Sequence, residues 1–134
     1  MFDPDTKVLV VDDFKTMRKI VIGALGACGL KNFTEADDGI HAWPLIEAAA
    51  KEGAPFGLVV SDWNMPQLSG IELLKKVRGT ESTRATPFVL VTAEAEQKNI
   101  LEAVQAGVSN YVVKPFTPAT FKVKLEQVYA KLKK

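Results

Sequence analysis

The sequence predicts an α/β fold: a doubly wound sandwich of five strands and five helices around a parallel sheet. Three observations carry this. Short β-branched runs recur along the chain, helix-period segments separate them, and a polar residue follows each strand-like run. Strands that alternate with helices pair in parallel and are covered on both faces.

The first strand is Lys7–Val11, KVLVV. A helix follows in which Met17, Ile20, Val21, Ala24, Leu25 and Cys28 repeat at helical spacing and form one apolar face, with Gly29 as its stop. The second strand, Phe33–Ala36, is short and partly polar, which suits a sheet edge. The second helix carries Pro44, and proline belongs in a first turn, so that helix is expected to begin near Trp43 or to be distorted there. Leu58–Ser61 is the third strand, and Ser69-Gly70-Ile71-Glu72 opens the third helix with capping-box spacing. Phe88–Val91 is the fourth strand; its helix runs to about Ala106, with Gly107 beyond. Tyr111–Val113 is the fifth strand, and the fifth helix has Thr117 as N-cap and Pro118 at its first position. Handedness leaves few topologies for such a chain. The flavodoxin-like order 2-1-3-4-5 is one of them, and it opens a crevice at the carboxyl ends of strands 1 and 3.

The bulk properties exclude several classes. The chain has 134 residues, enough for one domain with a core of its own, and residues 1–134 are read as a single unit. Net charge is +1, which gives no footprint for nucleic acid or an anionic membrane. The longest apolar run, Ile20 to Leu30, falls well short of the ~18 residues of a membrane span, and the start shows no secretory pattern. Cys28 is the only cysteine, so a reduced, cytoplasmic setting fits. His41, the only histidine, reads as a surface residue, and Cys28 as a packed thiol.

The strand ends carry the chemistry. Strand 1 leads into Asp12 and Asp13, strand 3 into Asp62, strand 4 into Thr92, and strand 5 into Lys114-Pro115. On a parallel sheet these ends share one edge. Singly, each has an ordinary role: Asp12, Asp13 or Thr92 as an N-cap, Lys114 as a solvated lysine before a turn. Together they are three carboxylates, a hydroxyl and an ammonium at one crevice. Three carboxylates repel unless a cation intervenes. Lys114 supplies one charge, and Mg²⁺, which binds through one or two carboxylates, water and phosphate oxygens, could supply two more. Asp62 could then act as nucleophile toward a phosphoryl group, with Thr92 and Lys114 on its oxygens.

VLVVDDFKTMRKIV, LVVSDWNMP, LVTAEA and YVVKPFTPATF resemble the receiver domain of two-component response regulators over nearly the whole chain. Among these, single-domain chemotaxis regulators match best. The resemblance implies that Asp62 is the phosphoacceptor, that Asp13 binds Mg²⁺ directly and Asp12 mainly through water, and that Asn64 adds a backbone carbonyl. It also implies that Thr92 and Lys114 contact the phosphoryl oxygens and that Thr92 and Tyr111 form the switch. Lys114-Pro115 is usually cis in this family. The implied output is protein–protein contact by a cytoplasmic monomer that has no output domain. Its partners are a chemotaxis-type histidine kinase, the flagellar motor switch protein and a phosphatase. Ala95, Ile100, Tyr111 and Lys124 are the partner-surface candidates. Pro44, Glu96 and Gln97 depart from the family pattern and bear on the partner surface, not on the phosphorylation chemistry.

Three alternatives stay open on the residues. One is a stand-alone receiver acting as a phosphorelay intermediate or phosphate sink, which would use the same site. The second is a phosphatase with an aspartate nucleophile. Such enzymes often place a second Asp two residues on as acid/base, whereas Asn64 cannot exchange a proton. That argues for a signalling protein with only slow self-phosphorylation and autodephosphorylation. The third is a phosphate-blind interaction module.

Overall fold

The computed structural model describes residues 2–93 and 97–132. Five parallel strands form one sheet in the order β2-β1-β3-β4-β5. The strands are β1 (Lys7–Val11), β2 (Asn32–Ala36), β3 (Leu58–Asp62), β4 (Phe88–Thr92) and β5 (Asn110–Val113). The helices are α1 (Lys15–Ala27), α2 (Gly39–Lys51), α3 (Gly70–Gly79), α4 (Gln97–Gln105) and α5 (Pro118–Leu132). A short 3₁₀ turn, Glu81–Thr83, was not foreseen from the sequence.

The strands are apolar on both faces because both are covered, and alternate side chains point to opposite sides. Val8, Val10, Val60, Val89 and Val112 pack with Val21 and Leu25 of α1 and with Phe121 and Leu125 of α5. Leu9, Val11, Val59 and Leu90 pack on the other side with Ala42 and Ile46 of α2 and Leu73 and Leu74 of α3. Val11, Ser61, Leu90 and Tyr111 lie level across the sheet. The residues just beyond them therefore emerge together at one edge.

Two expectations need correction. Helix α2 starts at Gly39, not near Trp43. Asp38 caps it, its carboxylate accepting the His41 N–H at 2.8 Å, so Pro44 lies inside the helix. The proline has no N–H to donate, and it stands on the solvent side with Ile40 one turn before it, so the loss is borne where water is near. In α1 the buried row is Val21, Ala24 and Leu25, while Ile20 is 50% exposed. Ile20 lines an open apolar groove with Met17, Pro115 and Phe116 instead. The other caps form as expected. Ser69 and Glu72 make a reciprocal capping box, and the Thr117 hydroxyl accepts the Thr120 N–H. Cys28 is half-buried, its thiol donating to the Pro118 carbonyl and pushed up in pKa by burial.

The far edge of the sheet is held by an arginine that the sequence reading passed over. Arg78, at the end of α3, donates to the carbonyls of Gly107 (2.8 Å), Arg84 (2.9 Å) and Thr86 (2.6 Å). One cation thus ties α3, the 3₁₀ turn and the loop entering β5. Arg78→Met keeps the stem and removes these donors, leaving carbonyls unsatisfied. It should cost about 3 kcal/mol, read by urea denaturation. A loss below about 1 kcal/mol would show that water replaces the guanidinium without penalty.

Candidate functional site

The residues of the constellation leave the sheet from four different strands. Asp12 follows β1 directly, and its N–H donates to the Ala36 carbonyl at 3.1 Å. Asp62 and Thr92 are the last residues of β3 and β4, and Lys114 follows β5. The Lys114 N–H donates to the Thr92 carbonyl at 2.8 Å, so these two residues share a backbone hydrogen bond. Asp12, Asp62 and Thr92 are buried, Asp13 and Lys114 half-buried.

The carboxylates of Asp12, Asp13 and Asp62 bring oxygens within 4.8 Å of one another. Lys114 Nζ lies 2.8 Å from Asp62 Oδ1. Burial, more than any neighbour, raises the Asp12 pKa to about 6. Asp62 and Asp13 add to the rise, while the Phe14 N–H and Lys114 oppose it. Asp12 Oδ1 accepts that N–H at 2.9 Å. Asp13 Oδ1 is buried and accepts no hydrogen bond among the described residues. A buried, orphaned carboxylate oxygen is costly unless a donor or a cation meets it. The donor set is all oxygen, the chemistry a hard divalent cation takes.

The loop after β3 is held on both sides: the Trp63 N–H donates to Val91 (2.9 Å), and the Trp63 carbonyl accepts the Gly70 N–H (2.8 Å). Trp63 is half-buried and Asn64 is exposed. Tyr111 is half-buried, with Lys124 Nζ 4.5 Å from its ring centroid, and Ile100 is half-buried on α4. Ala95 and Glu96 lie outside the described residues. The structure therefore gathers Asp12, Asp13, Asp62, Thr92 and Lys114, and separately pairs Tyr111 with Lys124.

Residues 8–126 match the family model described as the response regulator receiver domain. The chain belongs to that family. The receiver domain is similar to chemotaxis protein CheY-3 of Vibrio cholerae, with 47% identity over 132 residues, 98% of both chains. The solved structure of chemotaxis protein CheY4 from Vibrio cholerae superposes with a TM-score of 0.79 at 33% identity, covering 92% of this chain and 98% of that one. A receiver domain of a Pseudomonas aeruginosa sensor histidine kinase superposes at 0.78 and 25% identity, covering 93% and 98%. That structure is described with a magnesium ion in its active site cleft. The receiver fold expected from the sequence is thus the one found, and Lys114-Pro115 is cis, as the resemblance implied. Among the described residues no helix is long and apolar enough to cross a membrane.

Two residues of the receiver domain that support the site escaped the sequence reading. An added Cβ at Gly70 would collide with the Asp62 carbonyl oxygen and come within 2.9 Å of Leu90, so only glycine lets α3 start this close to the end of β3. Its signal was a glycine at the first position of a capped helix, where a better helix former would be expected. Arg18 reaches the Asp12 carbonyl at 2.7 Å and Glu35 at 2.9 Å. Its signal was a cation in the first turn of a helix, where the backbone field disfavours one.

Proposed function

We propose that this receiver domain is a phosphorylation-activated signalling switch of the chemotaxis type, with Asp62 as phosphoacceptor. The observation that carries the reading is the buried Asp62 carboxylate beside Asp12, Asp13 and the Lys114 ammonium. A carboxylate oxygen of Asp62 attacks the phosphorus of a phosphohistidine on a partner kinase. The O–P bond forms as the P–N bond breaks, and its electron pair goes to the imidazole nitrogen. Lys114 orients the carboxylate through Oδ1 beforehand. Lys114 and Thr92 then meet the phosphoryl oxygens, whose equatorial charge needs donors placed in advance.

The orphaned Asp13 oxygen and the all-oxygen donor set fit Mg²⁺. Asp13 and Asp62 would hold it directly, Asp12 mainly through water, and Asn64 through its backbone carbonyl. When bound, the ion offsets negative charge on the carboxylates and the phosphoryl group. Asn64 stands where an aspartate-nucleophile phosphatase often has an acid/base, so the phospho-form should persist.

Phosphate adds roughly −1.5 to −2 charge at the end of β3, where Thr92 at the end of β4 and Lys114 after β5 can answer it. The response is read out through Thr92 and Tyr111 to a face that includes Ile100 and Lys124, and Ala95 is the remaining partner-surface candidate. The partners implied are a chemotaxis-type histidine kinase, the flagellar motor switch protein and a phosphatase. Identity of 47% to CheY-3 over 98% of the chain supports the chemotaxis assignment over a general phosphate sink.

The test uses Trp63 as reporter in a Trp43→Phe background. Mg²⁺ should change the fluorescence, and a small phosphodonor such as acetyl phosphate should change it further only when Mg²⁺ is present. Because Asp12 titrates at about 6, Mg²⁺ affinity should fall at least ~10-fold from pH 7.5 to pH 5, as protons displace the cation. A phosphodonor response without Mg²⁺ would overturn the mechanism.

A further inference from the structure

Position 18 is an unfavourable place for a cation. It lies in the first turn of α1, where the unpaired N–H groups make the field positive. Yet the Arg18 side chain is only 14% exposed, less than its partner Glu35 at 47%. It folds back over the start of the helix. Nη1 donates to the Asp12 carbonyl at 2.7 Å, and Nε donates to Glu35 Oε1 at 2.9 Å. Asp12 is gripped twice more: its N–H donates to Ala36 at 3.1 Å, and Oδ1 accepts the Phe14 N–H at 2.9 Å. The peptide between Asp12 and Asp13 sets the direction in which the Asp13 side chain leaves the chain. Among the described residues, only Arg18 holds the oxygen of that peptide.

We infer that Arg18 is a positioning residue for the divalent-cation site. Its fork to the Asp12 carbonyl and Glu35 fixes the Asp12–Asp13 peptide, and with it the spacing of the three carboxylates, and this raises cation affinity. The inference rests on the reading of that cluster as a cation site. Arginine suits the task because its planar donors serve two acceptors at once, which a lysine ammonium on a flexible stem does less well. Outer partners of this kind commonly change metal affinity about 10- to 100-fold.

Charge alone predicts the opposite sign. Arg18 adds a positive charge near the cluster, so removing it should help a divalent cation bind. Calorimetric titration with MgCl2, with no phosphodonor present, separates the two. Arg18→Lys, which keeps the charge and loses the fork, should weaken Mg²⁺ binding about 10-fold. Arg18→Gln, which removes the charge, should weaken it as well. Unchanged affinity in Arg18→Lys, or tighter binding in Arg18→Gln, would overturn the positioning role.

Arg18 lines an open cleft with Glu35, Ala36, Asp37, His41 and Leu45, so neither variant leaves a hole in the core. Melting in EDTA checks this, since a purely structural role would lower the melting temperature and leave the affinity of the folded protein unchanged. A parent protein that takes up no Mg²⁺ would overturn the cation-site reading along with this one. A parent that binds, with both variants unchanged, would overturn this one alone.

Discussion

Asp62→Asn should lower phosphate incorporation from a small phosphodonor by on the order of 10³-fold or more, because the amide has no nucleophilic oxygen to offer phosphorus. Radiolabelled or phosphate-affinity gels would read this directly. Incorporation within 10-fold of the parent would move the acceptor elsewhere. The same change should stabilise the Mg²⁺-free protein, on the order of 1 kcal/mol, since one of three crowded charges disappears. Function and stability therefore move in opposite directions, which a general unfolding effect cannot produce. Asp12 carries a matching signature. Burial keeps its pKa above the ordinary range, but loss of the Asp62 charge should bring it down from about 6, measurable by carboxyl-carbon NMR. The sign for stability follows. A carboxyl whose folded pKa is raised contributes most below its unfolded value, near 4, and that contribution is lost as pH rises through about 6. The parent without Mg²⁺ should thus give up stability over that window, and Asp62→Asn should give up less.

Gly70→Ala should cost about 2 kcal/mol, read by urea denaturation, although alanine is the better helix former by about 1 kcal/mol. The added carbon meets backbone, the carbonyl of Asp62, with the Leu90 side chain 2.9 Å away. The carbonyl is backbone and cannot swing aside, and the Leu90 methyl is fully buried in the core. The helix start or the end of β3 must shift, and β3 carries the phosphoacceptor candidate. Phosphorylation should slow in the same variant. Gly23→Ala is the control. Gly23 lies inside α1 with nothing within 4 Å of an added carbon, so alanine there should stabilise by about 0.5–1 kcal/mol. If both substitutions had the same sign, close approach at Gly70 would not be what holds glycine there.

Much of this was legible in the sequence because period, caps and strand ends are local signals. KVLVV and LVVS announce strands, Ser69 and Glu72 announce a helix start, and the polar residue after each apolar run announces the crevice. Pro44 misled because proline's cost depends on which way it faces. On the solvent side of α2, behind an Asp38 cap, the cost is one hydrogen bond. Ile20 misled because an apolar repeat is wider than the stripe a helix can bury. Arg78, Arg18 and Gly70 act on backbone atoms outside their own helices, and the acceptor of a carbonyl contact has no residue-type signature. Arg78 meets Gly107, 29 positions away, through an oxygen that any residue would supply.

The unpaired Asp13 oxygen has a consequence for how the molecule is weighed in solution. A buried acceptor left unsatisfied by the fold is completed from outside, and a cation that meets that oxygen meets it only in the native chain. Occupancy then adds RT ln(1 + [L]/Kd) to the unfolding free energy, about 2.7 kcal/mol at a hundredfold excess over Kd. The melting temperature of this protein should therefore trace a binding isotherm, and its thermal stability should carry a reading of free divalent-ion concentration before any phosphate arrives.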